Sequence, residues 1–362
     1  MKGIPDLRSK HSTPRSELSL DPRETEILRT VIRSHILTGQ PVGSHSLSRA
    51  IRLDLSPAAI RSTMADLEAR GLLTHPHTSA GRVPTDMAYR LYVDHLMSPP
   101  RMESHQAQAI DEALLRSRNE VPELLAEASR QLSHFSRQVG VVSGPEIRRI
   151  VVEHLEFVRL DPRRVVAVLV GRSGVVHNRI LDAAEPREQG ELDRIGRYLS
   201  EQFNGKTLLE MRQILLERMA EEAAAYDLLV SQSLEFGRRA IEAETSSAEV
   251  FVEGASNLLG EPEFASLERM KGLLRTLEER NQLIDLLSRV LEGRGVQVVI
   301  GKENPVAPLT DCSLVASTYS SGDQIVGAVG IMGPRRMEYA RAIALVEHLA
   351  QVLTRLLSVP RE

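Results

Sequence analysis

Two runs, Ser56-Pro57-Ala58-Ala59-Ile60-Arg61-Ser62 and His77-Thr78-Ser79-Ala80-Gly81-Arg82, hold the side chains best suited to chemistry. That chemistry is hydrogen bonding rather than bond breaking. Arg61 and Ser62 carry donors for base edges and phosphate oxygens, and an alanine methyl fits against a thymine methyl. Ser56 before Pro57 has the form of a helix N-cap with proline at the first helical position. A helix starting there points backbone N–H groups and its positive dipole end outwards, toward any phosphate it meets. At helical spacing, Ile60, Met64 and Leu67 share one side, and Ala58, Ser62, Ala65 and Ala69 share the other, with Arg61 and Ala59 on the flanks. Small residues on that face let a helix backbone descend into a major groove. His77, Thr78, Ser79 and Arg82 are donors at a Gly/Pro-punctuated tip, suited to the DNA backbone or minor groove. Ser44, at the start of the preceding helical stretch, completes the DNA-binding set.

Three helices and a hairpin must position these residues. Asp21, Pro22 and Glu24 form a capping box with proline at the first position. Ile27, Leu28, Val31, Ile32 and Ile36 follow at helical spacing up to Gly39. Gly43-Ser44 opens a second helix with Leu47, Ala50 and Ile51 on its apolar side, and the third runs from Ser56 to about Gly71. Leu72-Leu73 starts a strand, residues 75–81 read as a turn, and Arg82-Val83-Pro84 returns. This order is that of a winged helix-turn-helix, although three helices with an Ala-rich solvent face also describe a generic packing unit. His75 and His77 read as turn polarity, because no acidic or Cys partner lies beside them to complete a metal site. No nucleophile–base arrangement, paired carboxylates or Gly-rich phosphate loop is present. The expectation is therefore no catalytic residues, no metal and no cofactor.

Composition bounds the class of chain. The 362 residues allow two or three domains, and 42% hydrophobic with 26% charged residues is ordinary for a globular chain. Aromatics are only 3%, with no Trp, which argues against stacking platforms for single-stranded nucleic acid. A single cysteine, Cys312, excludes a disulfide framework and fits a reducing cytoplasm. No apolar run reaches the ~20 residues that cross a bilayer. The N-terminus lacks the apolar stretch of a signal peptide, and its Lys2, Arg8, Lys10 and Arg15 read as a loose arm. The net charge of -4 is unevenly divided. Residues 1–100 hold 13 Lys+Arg against 10 Asp+Glu, and the remainder holds 32 against 39. A mildly basic head on an acidic body suits a protein in which the head alone meets a polyanion.

The rest of the chain alternates between helical and strand periodicity. Residues 85–96 read as a helix, and a long amphipathic helix follows from about Ser104 to Gln138, interrupted at Pro122. Ile150–Leu160, Val165–Val170 and Val175–Leu181 read as an antiparallel meander. Helix returns near Glu191, and Thr207 with Glu210 caps a stretch toward Ala243 whose stripe is Leu208, Met211, Leu215, Met219, Ala223, Tyr226 and Val230. A short strand at Glu249–Glu253 and a helix from about Ser266 to Leu291 precede strands at Val296–Ile300, Cys312–Tyr319 and Gln324–Gly330. A final helix starts at Pro334. The expected fold class is α+β, with one sheet whose two halves are separated by a helical insertion.

Three blocks, VGSHSLSRAI, LSPAAIRSTMADLEARGLLTHPHTSAGRVPTD and AYRLYVD, resemble the signature blocks of the HrcA family of heat-inducible transcription repressors. PHTSAGRVPTD is the most specific of them. The C-terminal run GIMGPRRMEYARAIALVEHLAQVLTRLL is similar to the end of a GAF-like domain. In the family, the residue after the Ile60-Arg61 pair is usually Asn, so Ser62 departs from the pattern at the face that would read bases. The resemblance implies a winged helix-turn-helix over residues 1–101, a discontinuous GAF-like domain over 102–186 and 295–362, and an inserted dimerisation domain over 187–294. It also implies a homodimer on an inverted-repeat operator of double-stranded DNA upstream of heat-shock genes, kept active by the chaperonin. The other reading is a metabolite-responsive winged-helix regulator that uses the GAF-like domain as a sensor.

Overall fold

The computed structural model describes residues 20–51, 55–76, 81–98, 101–144, 150–172, 176–183, 185–221, 249–291, 293, 295–322 and 324–358. The chain divides into two compact units, Met1–Pro99 and Pro100–Glu362.

The first unit contains α1 (Pro22–Thr38), α2 (Ser44–Ala50), α3 (Pro57–Ala69), β1 (Leu73–Thr74), β2 (Val83–Pro84) and α4 (Asp86–Leu91), which runs into a π-helical turn at Tyr92–Leu96. The expected capping box closes the start of α1. Glu24 N donates to Asp21 Oδ1 at 2.7 Å, and Asp21 N donates to Glu24 Oε2 at 2.9 Å. Ile27, Leu28, Val31 and Ile32 of α1 are fully buried with Leu47, Ile60, Met64, Leu67 and Leu72. Helix periodicity and burial thus coincide, as an amphipathic bundle requires. Polar ties add direction to this packing. Arg23 Nη2 donates to Ala59 O at 2.9 Å in the first turn of α3, and Arg70 Nη1 donates to Glu24 Oε2 at 3.0 Å at its end. α1 therefore grips α3 at both ends. β1 and β2 pair antiparallel, and Val42 joins them through an antiparallel bridge to Arg82. That approach is close: a Cβ on Gly81 would lie 2.6 Å from the carbonyl carbon and oxygen of Val42, so only glycine fits there.

The second unit holds α5 (Ser104–Arg116), α6 (Val121–Ser136), β3 (Val139–Ser143), β4 (Val152–Asp161), β5 (Arg164–Gly171), β6 (Val176–Asp182), α7 (Gln189–Phe203) and α8 (Leu208–Glu221). After β7 (Val250–Glu253) come α9 (Leu267–Glu278), α10 (Arg280–Leu291), β8 (Gln297–Ile300), β9 (Cys312–Ser321), β10 (Gln324–Pro334) and α11 (Tyr339–Ser358). Among the described residues the strands form two separate sheets. The larger has the order β7-β3-β10-β9-β8 and is antiparallel throughout. One face packs on α9 and α10 through Val139, Val141, Leu314, Ala316, Ala328 and Met332. α6 and α11 cover the other. Cys312 lies within the first of these layers, 1% exposed, and burial pushes its thiol up to about 12. A neutral-pH alkylating reagent is accordingly expected to label Cys312 only after denaturation; labelling of the native protein at the rate of a free thiol would contradict this placement.

The smaller sheet, β4-β5-β6, is a meander with two unlike faces. Its inner face carries Leu155, Phe157, Val165, Ala167 and Leu169, packed on Leu192, Ile195, Leu199 and Phe203 of α7 and Leu208, Met211 and Leu215 of α8. On its outer face Val158, Val166 and Ile180 stand in one cross-strand row, and Val170 and Val176 in another. Val158, Val176 and Ile180 are 40%, 60% and 58% exposed. The outward edge of β4 is closed by α7 side chains. Asn204 Nδ2 donates to Glu153 O, Leu155 N donates to Ser200 Oγ, Gln189 Nε2 donates to Phe157 O, and Arg159 N donates to Gln189 Oε1.

These sheets correct the expectation of a single sheet divided by a helical insertion. β4–β6 satisfy their apolar inner face locally against α7 and α8, and they share no pairing with the strands near the C-terminus. Their place in the larger sheet is taken by β3 and β7. The expected divisions at 186/187 and 294/295 therefore cut through both cores, because α7 belongs with β4–β6 while α9 and α10 belong with β8–β10. The described part of the stripe beginning at Leu208 is also internal, with Leu208, Met211 and Leu215 at 4%, 0% and 1% exposure. Its continuation through Ala223, Tyr226 and Val230 lies outside the described residues. The break expected at Pro122 falls just before it, at residues 117–120; the helix expected as continuous from Ser266 to Leu291 is broken at Glu279; and the last helix starts at Tyr339, because Pro334 still belongs to β10.

Candidate nucleic-acid interface

α3 is fixed from behind and open in front. Ser56 caps it, its Oγ accepting from Ala59 N at 3.2 Å, and Pro57 occupies the first position. Ile60, Thr63, Met64 and Leu67 face the core, and Ala58, Arg61, Ser62, Ala65 and Ala69 are exposed. Ala59 is half-buried, turned toward α1, where its carbonyl accepts from Arg23 and from Thr63 Oγ1. Of the sequence-predicted residues on α3, the structure thus brings Ala58, Arg61 and Ser62 together at the N-terminal half of one exposed face. Asp66 shares the exposed side one turn further on. Its charge disfavours a phosphate partner there and favours the N-terminal half for one, the half by which recognition helices generally meet bases. The hydroxyl of Ser56 is engaged in capping, and Ser44 lies half-buried as the first residue of α2.

The wing differs from the expectation in one important residue. His77, Thr78 and Ser79 lie outside the described residues. Arg82, expected at the tip, sits at the foot of the returning strand, with its side chain 14% exposed and its Nε donating to Glu68 Oε2 at 3.0 Å. On the same carboxylate, Oε1 accepts from His75 Nδ1 at 2.5 Å. The His75 hydrogen bond is the main reason the Glu68 carboxyl lies below the ordinary carboxylate range; burial opposes it and Arg82 reinforces it. Because that value is depressed in the folded state, the carboxylate's contribution is present at neutral pH and is lost as pH falls through the depressed value. Sequence reasoning misses Glu68, and it misplaces His75, which has this carboxylate as an acidic partner rather than none. A carboxylate on a helix's exposed flank looks like ordinary surface charge until the hairpin folds back on it.

Among the described residues, no group of His, Cys, Asp and Glu is arranged to hold a metal ion, and no helix is long and apolar enough to cross a membrane. The model of the HrcA protein C-terminal domain family matches residues 122–343. The heat-inducible transcription repressor HrcA of Syntrophobacter fumaroxidans is 39% identical over 344 residues, covering 95% of this chain and 99% of that protein. The heat-inducible transcription repressor HrcA of Geobacter sulfurreducens is 39% identical over 338 residues, covering 93% and 98%. A crystal structure described as that of a hypothetical protein at 2.2 Å resolution is similar with a TM-score of 0.57 and 21% identity, over 94% of this chain and 99% of that one. That likeness concerns the fold alone.

Proposed function

Because the chain belongs to the HrcA family of heat-inducible transcription repressors, we propose that its winged helix-turn-helix reads one half of an inverted-repeat operator and that two copies bind together. The negative regulation is of heat-shock transcription, and the promoters are those of chaperonin and chaperone genes. The observation that carries the DNA-reading part is the exposed Ala58–Arg61–Ser62 face of α3, held to α1 at both ends by Arg23 and Arg70. One such helix reads only a few base pairs. Two related by a dyad read a palindrome, with gains in affinity and register.

The homodimer is assigned to the β4–β6 module, with residues 150–221 as the insertion and the flanking segments around the five-stranded sheet as the GAF-like domain. Val158, Val166 and Ile180 form an apolar row on the module's outer face, and burying each such side chain contributes roughly 1.5–3 kcal/mol when complete. Val166→Asp with Ile180→Asp is expected to shift the protein to monomer in sedimentation; a persisting dimer would move the interface elsewhere.

A chaperonin keeps the repressor competent, and heat withdraws that support. The test is a footprint on an inverted-repeat promoter element at graded temperature, with and without chaperonin. Protection lost on warming and restored by chaperonin is expected. Protection that ignores both, but responds to an added metabolite, would favour a sensor using the cleft lined by Arg130, His134, Arg137 and Arg341.

A further inference from the structure

A single carboxylate joins α3 to both sides of the wing. Glu68 Oε1 accepts from His75, just beyond β1, and Oε2 accepts from Arg82, just before β2. Arg82 is fastened a second time through its main chain. Its N–H donates to Val42 O and its carbonyl accepts from Val42 N, both at 2.9 Å. The returning strand is thus tied on one side to the segment before α2 and on the other to α3.

We propose that Glu68 is a positioning residue for DNA recognition: it sets the angle of the wing against α3, so that both reach one duplex in register. Arg82 acts through it rather than as a phosphate ligand. The proposal rests on the winged-helix reading given above.

Simple electrostatics predicts the opposite sign for removing Glu68. A carboxylate on a DNA-facing helix repels phosphate, so its deletion alone would tighten binding, most of all at low salt. Loss of preorganisation weakens binding instead, because the wing must then be ordered when DNA arrives. Alanine is a better helix former than glutamate, so Glu68→Ala leaves the helix propensity of α3 undiminished.

Full-length Glu68→Ala, Arg82→Ala and the double variant are titrated with a labelled inverted-repeat duplex at several salt concentrations. Amide exchange is followed at Thr74 and Val83, with α1 amides as the folding control. Glu68→Ala is expected to bind about tenfold more weakly, an effect within the range of coupled neighbours, with an unchanged salt slope. Exchange at Thr74 and Val83 should accelerate while α1 stays protected, and the double variant should bind no worse than the weaker single one. Glu68→Ala that binds as well as wild type or better, additive losses in the double variant, or a salt slope made shallower by Arg82→Ala would each overturn the proposal. If the wild-type protein does not retain the duplex, the operator reading fails by itself, and exchange still decides the role of Glu68. Unchanged exchange at Thr74 and Val83 in Glu68→Ala would sink it whatever the DNA result.

Discussion

Arg61→Ala should weaken operator binding by about 1–3 kcal/mol at each half-site, roughly 30-fold or more where two copies each carry the change. The guanidinium is exposed on α3 and has no hydrogen bond or ion pair among the described residues, so nothing in the fold depends on it. Surface changes of this kind usually stay within about 0.5 kcal/mol in stability, and alanine preserves the helix. The melting temperature is therefore expected to hold while affinity falls. Titration against an inverted-repeat duplex and a scrambled one separates two roles. A base contact loses more on the specific duplex, whereas a phosphate contact loses equally on both and makes the salt slope shallower. Arg61→Lys should retain part of the phosphate contribution and little of a bidentate base contact. Wild-type affinity on both duplexes would remove α3 as the reading element.

Gly140→Val is expected to have the largest effect on the fold. Gly140 lies in β3, between β10 and β7, with the backbone of α6 directly above it. A Cβ there would lie 2.2 Å from Ser129 O, 2.9 Å from Leu132 Cβ and 3.0 Å from Ser133 N. Ser129 Oγ also donates to Gly140 O at 2.9 Å, which holds helix and strand at that spacing. Overpacking usually costs roughly 1–3 kcal/mol, and a clash with helix backbone belongs at or above the upper end. A loss of about 3 kcal/mol lowers the melting temperature by roughly 6–12 °C in a domain of this size. Calorimetry checks it, and a melting temperature within a degree or two of wild type would show that α6 can lift away.

What the sequence disclosed follows from how local each signal is. The Asp21–Glu24 box, the Ser56-Pro57 start and the Thr207–Glu210 cap are settled within a few residues, and all three form. The three strands between 150 and 182 were legible because each turn joins neighbours. β3 was not. Val139–Ser143 is buried at every position, so it lacks alternation, and its partners Val250–Glu253 and Val329–Met332 lie far along the chain. Periodicity tells which residues are buried, not which distant strand covers them, and so a reading of the sequence merges the two sheets into one. At the candidate interface, the exposure of Ala58, Arg61 and Ser62 follows from helical spacing alone. That of Arg82 does not, because its orientation depends on Glu68 reaching across from another element.

The polar side chains along β4 bear on how this protein behaves when it is warmed. An unpaired strand edge is a template on which further chains can add without limit. Here Gln189, Ser200 and Asn204 already occupy alternate backbone groups of the β4 edge, so growth from that edge is blocked while α7 stays docked. Release of α7 would expose the backbone groups of β4 and make that edge a site for strand addition between copies of the chain.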